Sequence, residues 1–100
     1  MTVDIEHVRG MAHAFVEIIS HASERDRDTT PSVQFCNRYN QILVLAKEAV
    51  LGIDERFWPR PIEQQDISDT RYIDIQTYSL QILNLLPPPP PPRDTYLVPV

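Results

Sequence analysis

Apolar residues in the first part of the chain recur at the spacing of an amphipathic helix. Over residues 3–24 they return every three or four positions, which places them in one arc of a helix with about 3.6 residues per turn. Glu6, Glu17 and Glu24 fall on the opposite side. The arc consists of Val8, Met11, Ala12, Phe15, Ile18, Ile19 and Ala22. The pattern predicts a first helix with a defined core face.

A second helix is predicted from Thr30-Pro31 to Gly52. The polar stretch "ERDRDTTP" interrupts the apolar pattern and ends in a threonine that can cap a helix, followed by a proline suited to the first helical position. Gly52 is a typical C-terminal stop. The apolar series of this helix is Phe35, Tyr39, Ile42, Ala46, Ala49 and Ile53. Its alternating steps of three and four are typical of a helix that packs against another helix.

The remainder of the body is interpreted as a loop followed by a third helix. Residues 53–68 contain two prolines and no sustained period, so they predict a loop, with one helical turn at "DERF". From Asp69 to Leu86 one helical face carries Tyr72, Ile75, Ser79, Ile82, Leu83 and Leu86. The local alternation in "YIDIQT" leaves a strand as the alternative. Helices joined by short connections run in opposite directions, so we expect an all-α, antiparallel three-helix bundle.

A run of six prolines ends this helical region. No helix continues through consecutive prolines, because each lacks the backbone donor and its ring clashes with the preceding turn. The run consists of Pro87, Pro88, Pro89, Pro90, Pro91 and Pro92. We therefore divide the chain into a helical domain, residues 1–86, and an extended polyproline C-terminal tail, residues 87–100. The tail can bind an aromatic-lined groove in a partner, lie on its own body, exchange with a second copy, or act only as a stiff spacer.

Apolar residues also occur outside the core faces of the second and third helices. Val33, Val44 and Leu51 lie almost in line on the side of the second helix opposite its core series, and Ile73 and Leu80 lie off the main face of the third. Because a bundle of three helices has one interior, this second stripe predicts burial against a protein partner, either as a homodimer or as an adaptor. Isolated surface hydrophobic residues are the alternative explanation.

The segment "RFWPRP" is a further candidate contact with a partner. It contains the single tryptophan, Trp58, between Arg56 and Arg60, and arginine and tryptophan are enriched where proteins bind one another. The alternative is that Trp58 closes one end of the bundle as part of the core.

Composition narrows the classes of partner and compartment. A net charge of −5 with scattered Lys and Arg argues against nucleic acid. The longest apolar run, residues 42–46, is too short to cross a membrane, and the N-terminal sequence "MTVDIEH" has no features of a secretory signal. A single cysteine, Cys36, excludes an internal disulfide and fits a reducing compartment. We expect a cytoplasmic protein that binds neither membrane nor nucleic acid.

Two residue groups bear on catalysis. His13, Glu17 and His21 follow one another at steps of four on the first helix, a spacing that can bind zinc, so a metal-binding regulator or small enzyme is the alternative function. No second helix supplies further ligands, and neither a phosphate loop nor a nucleophile elbow is present. Cys36 fits a buried apolar position better than a nucleophile. We therefore expect a non-catalytic interaction protein with no cofactor.

Overall fold

A computed structural model describes residues 4–88, and all regular structure within this range is helical. The helices are α1 (Ile5–Ser20), α2 (Glu24–Arg27), α3 (Val33–Ala49) and α4 (Tyr72–Leu85), with 3-10 helices at Glu55–Phe57 and Gln64–Asp69. The prediction of an all-α protein is confirmed, and "YIDIQT" is helical rather than a strand. The turn predicted at "DERF" is the first 3-10 helix, and α2 was not predicted. Among residues 4–88, no helix has both the length and the apolar character that a membrane span requires.

The ends of α3 differ from the predicted ends. The helix begins after Ser32, whose hydroxyl accepts a hydrogen bond from the Phe35 backbone N–H at 3.1 Å. It ends at Ala49, because Val50 adopts an extended conformation with φ −125° and ψ 99°. Leu51 therefore lies in the turn that leads to Gly52, whose φ is +91°. The prediction that Leu51 continues a helical line with Val33 and Val44 is wrong, since the helix ends before it.

The core lies where α1, α3 and α4 meet. All three helices contact one another, and α1 contacts α4 more extensively than it contacts α3. The buried apolar side chains of the helices are Val8, Ala12, Phe15 and Ile19 of α1, Cys36, Tyr39, Ile42, Leu43 and Ala46 of α3, and Ile75 and Ile82 of α4. Leu86, just past α4, is buried with them. Ile18, placed by its periodicity in the core arc of α1, is instead 59% exposed.

The direction of α4 differs from the antiparallel arrangement predicted for all neighbouring helices. α1 and α4 do run in opposite directions, since Arg9 donates a hydrogen bond to the Pro87 carbonyl and Gln76 donates to the Val16 carbonyl at 3.4 Å. α3 and α4 run in the same direction, as two ring contacts show. Phe35 packs on Tyr72 with centroids 5.1 Å apart, and further along both helices Tyr39 packs near Tyr78 at 5.9 Å.

The connection between α3 and α4 explains this direction. Residues 50–71 do not form a short turn; they return along α3 to the end of the molecule where α3 begins. There the Tyr72 backbone N–H donates to the Thr29 carbonyl at 3.1 Å. Along the way the side chains of Trp58 and Ile62 enter the core. The antiparallel prediction assumed a short connection between the second and third helices. Because the actual connection is long, it does not force the two helices to run in opposite directions.

Candidate functional site

An apolar groove of about 370 Å³ lies between α1 and α3. One wall is formed by α1, and the other by the side of α3 that faces it. The groove is lined by Met11, Ala14, Phe15 and Ile18 of α1 and by Arg38, Gln41, Ile42 and Leu45 of α3. We call this feature the α1/α3 groove. Its floor is continuous with the core through Phe15 and Ile42, while Ile18 at its edge is exposed to solvent.

A second hollow of about 420 Å³ extends the groove across α3. It is lined by Asn40, Gln41, Val44 and Leu45, of which Gln41 and Leu45 also line the α1/α3 groove. Val44 is 54% exposed there. The two depressions therefore form one mainly apolar surface, bordered by Ile18 on α1 and Val44 on α3.

Charged residues stand near both ends of this surface on α3. Arg38 and Glu48 are exposed, and with Gln41, Val44 and Leu45 they form what we call the outer face of α3. Within residues 4–88 neither Arg38 nor Glu48 takes part in an ion pair; the ion pairs there involve other residues. The outer face is thus apolar near its middle, with one positive and one negative group about one and a half turns to either side.

The five predicted partner-facing apolar residues do not form one patch. Val33, Val44, Leu51, Ile73 and Leu80 are all exposed, and Leu51 is the most exposed at 84%. Val44 borders the surface described above. Ile73 borders a different hollow, formed with Glu24, Arg27 and Asp28 of the α2 region. Two members of the second stripe predicted from the sequence, Val44 and Ile73, therefore lie beside different hollows, and Val44 borders the mainly apolar surface described above.

The "RFWPRP" segment divides between core and surface. Trp58 is 7% exposed and packs in the core, which agrees with the alternative in which the tryptophan is part of the bundle. The exposed aromatic residue is its neighbour Phe57, which lies under the Arg56 guanidinium at 5.9 Å. Arg60 is exposed, and its backbone carbonyl accepts a hydrogen bond from the Tyr39 hydroxyl at 3.0 Å. Trp58 is therefore mainly a core residue, and its small exposed part lines a hollow that it shares with Arg56 and Arg60.

The structure describes the first two prolines of the tail, Pro87 and Pro88, and both are exposed. α4 ends at Leu85, immediately before them, and Leu86 adopts an extended conformation. The Pro87 carbonyl accepts a hydrogen bond from the Arg9 side chain of α1. Pro89, Pro90, Pro91 and Pro92, together with the remainder of the predicted tail, lie outside the described residues.

The predicted histidine group forms a polar row on α1. The Glu17 carboxylate lies 3.9 Å from Nε2 of His13 and 3.4 Å from Nε2 of His21, and all three side chains are more than half exposed. Both rings thus contact one carboxylate in the manner of solvent-facing i,i+4 pairs. Among residues 4–88, no group of three His, Cys, Asp or Glu side chains is arranged to hold a metal ion.

Two buried ionisable groups lie in the core of α3. Burial raises the pKa of the Cys36 thiol, which is 1% exposed. Burial, and to a lesser extent the neighbouring Tyr78, raises the pKa of the Tyr39 hydroxyl well above its ordinary value. Reactive cysteines have lowered pKa values, so Cys36 has the character of a core residue.

Ile18, Met11 and Leu45 line the α1/α3 groove, a role that was not predicted for them from the sequence. A signal was available, because the apolar arc of α1 contains two parallel rows. The row Val8, Ala12, Phe15 and Ile19 is buried, and a second row, Met11 and Ile18, lines the groove together with Ala14 from outside the arc. Together the two rows span about 120° of the helix circumference, so one row can be buried while the other lies beside the contact.

Comparisons of the chain with protein-family models, curated proteins and solved structures find no match.

Proposed function

We propose that this protein is a small non-catalytic helical protein that acts by binding protein, as an adaptor or through self-association. Its contact surface is the α1/α3 groove together with the outer face of α3. The observation that supports this most directly is the continuity of two apolar depressions between the exposed side chains of Ile18 and Val44. A concave apolar surface beside exposed aliphatic side chains can receive apolar side chains of a partner, as the centre of many protein interfaces does.

The chemistry of the surface favours a protein partner. Burying an exposed valine or isoleucine side chain on association stabilises a complex by about 1.5–3 kcal/mol at most. Arg38 lies at one end of the surface and contributes to a polar rim of the kind that surrounds the apolar centre of many interfaces, and Gln41, which lines both hollows, adds a hydrogen-bonding group. The net charge of −5 disfavours a nucleic-acid backbone as the partner.

We also propose how the chain is divided and in which cellular compartment the protein resides. Residues 1–86 would form one helical domain, and residues 87–100 a proline-rich tail that adds a second contact with a partner. The end of α4 at Leu85 and the exposure of Pro87 and Pro88 support that boundary. A single free, buried cysteine fits residence in the reducing cytoplasm.

Site-specific photocrosslinking tests the contact surface. A photoreactive phenylalanine analogue placed at Val44 of the full-length chain is expected to crosslink to protein, in purified samples or in the natural host cells. Unlabelled wild-type chain should compete for this crosslink, whereas chain carrying Val44→Asp should not, because a buried unpaired carboxylate opposes association.

The matched control places the analogue at Thr77, an exposed residue of α4 outside the groove. Crosslinking from Val44 that is no stronger than from Thr77, or that Val44→Asp chain competes equally well, would contradict the proposed contact surface.

A further inference from the structure

We infer that the partner of the outer face of α3 is a second copy of the same chain, whose α3 lies antiparallel to the first. In this arrangement Arg38 of each copy faces Glu48 of the other. The inference rests on the proposed function and adds to it the identity of the partner and the register of the contact.

The spacing of residues on α3 carries this inference. Arg38, Gln41, Leu45 and Glu48 follow one another at steps of three, four and three, so they run along one side of the helix. At 1.5 Å per residue, Arg38 and Glu48 stand about 15 Å apart along the axis. A two-fold axis through the midpoint between them brings the arginine of one copy opposite the glutamate of the other, twice in each dimer.

Charge selects the antiparallel direction. A parallel pair in register would set Arg38 against Arg38 and Glu48 against Glu48, which is repulsive at both ends. Neither residue forms an ion pair with the described residues of its own chain, so both side chains can pair across the interface. Two copies that each carry a net charge of −5 repel one another in general, and therefore association requires local complementarity of this kind.

The middle of the outer face provides the apolar contact. In this register Gln41 of one copy lies opposite Leu45 of the other, and Val44 of both copies flanks the two-fold axis. The hollow beside Val44, about 420 Å³ with Leu45 in its wall, offers space for apolar side chains from the second copy. Gln41 lies near the middle of this contact, and its flexible side chain can turn its amide outward to solvent, which satisfies its hydrogen bonds.

Charge reversal tests the register directly. The dissociation constant of the dimer is measured by sedimentation equilibrium for the full-length chain and for Arg38→Glu, Glu48→Arg and the double variant. We expect the wild type to dimerise at tens of micromolar and each single reversal to raise the dissociation constant at least tenfold, because each creates two like-charge contacts per dimer. The double variant should return to within threefold of the wild type, since it restores both pairs with exchanged signs.

Matched controls carry the same charge changes elsewhere. Arg25→Glu and Glu24→Arg on α2 alter the net charge equally and are expected to change the dissociation constant by less than threefold. Thermal melts followed by circular dichroism verify that every variant is folded.

The inferred pairing would be overturned if the single reversals left the dissociation constant of the dimer unchanged. It would also be overturned if the double variant had a higher dissociation constant than either single variant. A wild type that stays monomeric at 100 micromolar would overturn it as well. If the wild type is monomeric, crosslinks from Val44 to a different protein would still support the proposed function. No crosslink at all would contradict both the proposed function and the inferred dimer. A dimer lost on truncation after Pro88 but insensitive to both reversals would assign the contact to the tail instead.

Discussion

At the scale of single residues, Asn40 is the side chain that fixes the path of the connection between α3 and α4. Its Nδ2 donates to the Ile62 carbonyl and its Oδ1 accepts from the Ile62 backbone N–H, both at 2.8 Å. One side chain thus satisfies both backbone groups of a core residue in a segment without regular structure. Nothing in the sequence marks Asn40 for this role, because its partner is 22 positions away and is recognised through its backbone.

Replacing Asn40 with alanine is expected to lower the free energy of unfolding by about 2 kcal/mol, since two partly buried backbone groups lose their partners. Urea denaturation measures the difference. Asn37→Ala, an exposed change one turn earlier in the same helix, serves as the control and should alter the free energy of unfolding by no more than about 0.5 kcal/mol. Equal effects of the two substitutions would show that the Ile62 contact does not stabilise the fold.

Tyr39 is expected to make the stability of the fold decrease at alkaline pH. Its raised pKa means that the folded state keeps the hydroxyl proton at a pH where the unfolded chain releases it. The contribution to stability is therefore complete below about pH 10, the ordinary tyrosine value, and declines as the pH rises above it. Tyr39→Phe should unfold more easily at neutral pH, because it loses the hydrogen bond to the Arg60 carbonyl.

The measurement is the free energy of unfolding from urea titrations at pH 8 and near pH 11. We expect the loss between these two pH values to be smaller for Tyr39→Phe than for the wild type. An unchanged loss would assign the alkaline sensitivity to other groups, of which Cys36 is the first to examine by the corresponding alanine variant.

At the scale of helices, α3 shows which local signals decide where a helix starts. Thr30-Pro31 and Ser32 are both acceptable starts by sequence. In the structure the Ser32 hydroxyl caps the helix, while Pro31 is buried and the Thr30 hydroxyl accepts from Arg71 at 3.1 Å. The threonine is thus used to attach the start of α4, a contact made across 41 positions that a local pattern does not contain.

Ser32→Ala is expected to destabilise the protein by about 1 kcal/mol, the usual cost of losing a helix cap. Ser32→Asp should retain most of the stability, because a carboxylate accepts the same hydrogen bond and interacts favourably with the helix dipole. Both values come from urea denaturation at neutral pH. If the alanine and aspartate variants lost equal stability, the cap at Ser32 would not be the start of α3.

The three long helices were predictable because each has an apolar period sustained over several turns, as in the buried row from Val8 to Ile19. The groove was predictable only in part. Val44 was identified by its position opposite the core series, but Ile18 was assigned to the core because periodicity alone does not tell which row of a wide apolar arc a neighbour covers. That choice depends on how closely α3 approaches α1.

At the scale of the whole molecule, the direction of α4 could not be derived from local pattern. It follows from where residues 50–71 return, and that path depends on Asn40, on Tyr39 and on the burial of Trp58. Each of these contacts joins positions far apart in the sequence. The helical class of the fold was therefore available from the sequence, whereas its topology required the tertiary contacts of one long loop.

The packing of α1 against α4 has a consequence for how the protein is made. Among the helices of residues 4–88, α1 leaves the ribosome first, whereas α4, which contacts it more extensively than α3 does, leaves last, and the contacts between α1 and the α4 region join residues 60 and 78 positions apart. A nascent chain that stops before Tyr72 leaves exposed the part of the α1 surface that α4 covers in the folded protein. Until translation passes α4, we expect the emerging polypeptide to be a substrate for chaperones.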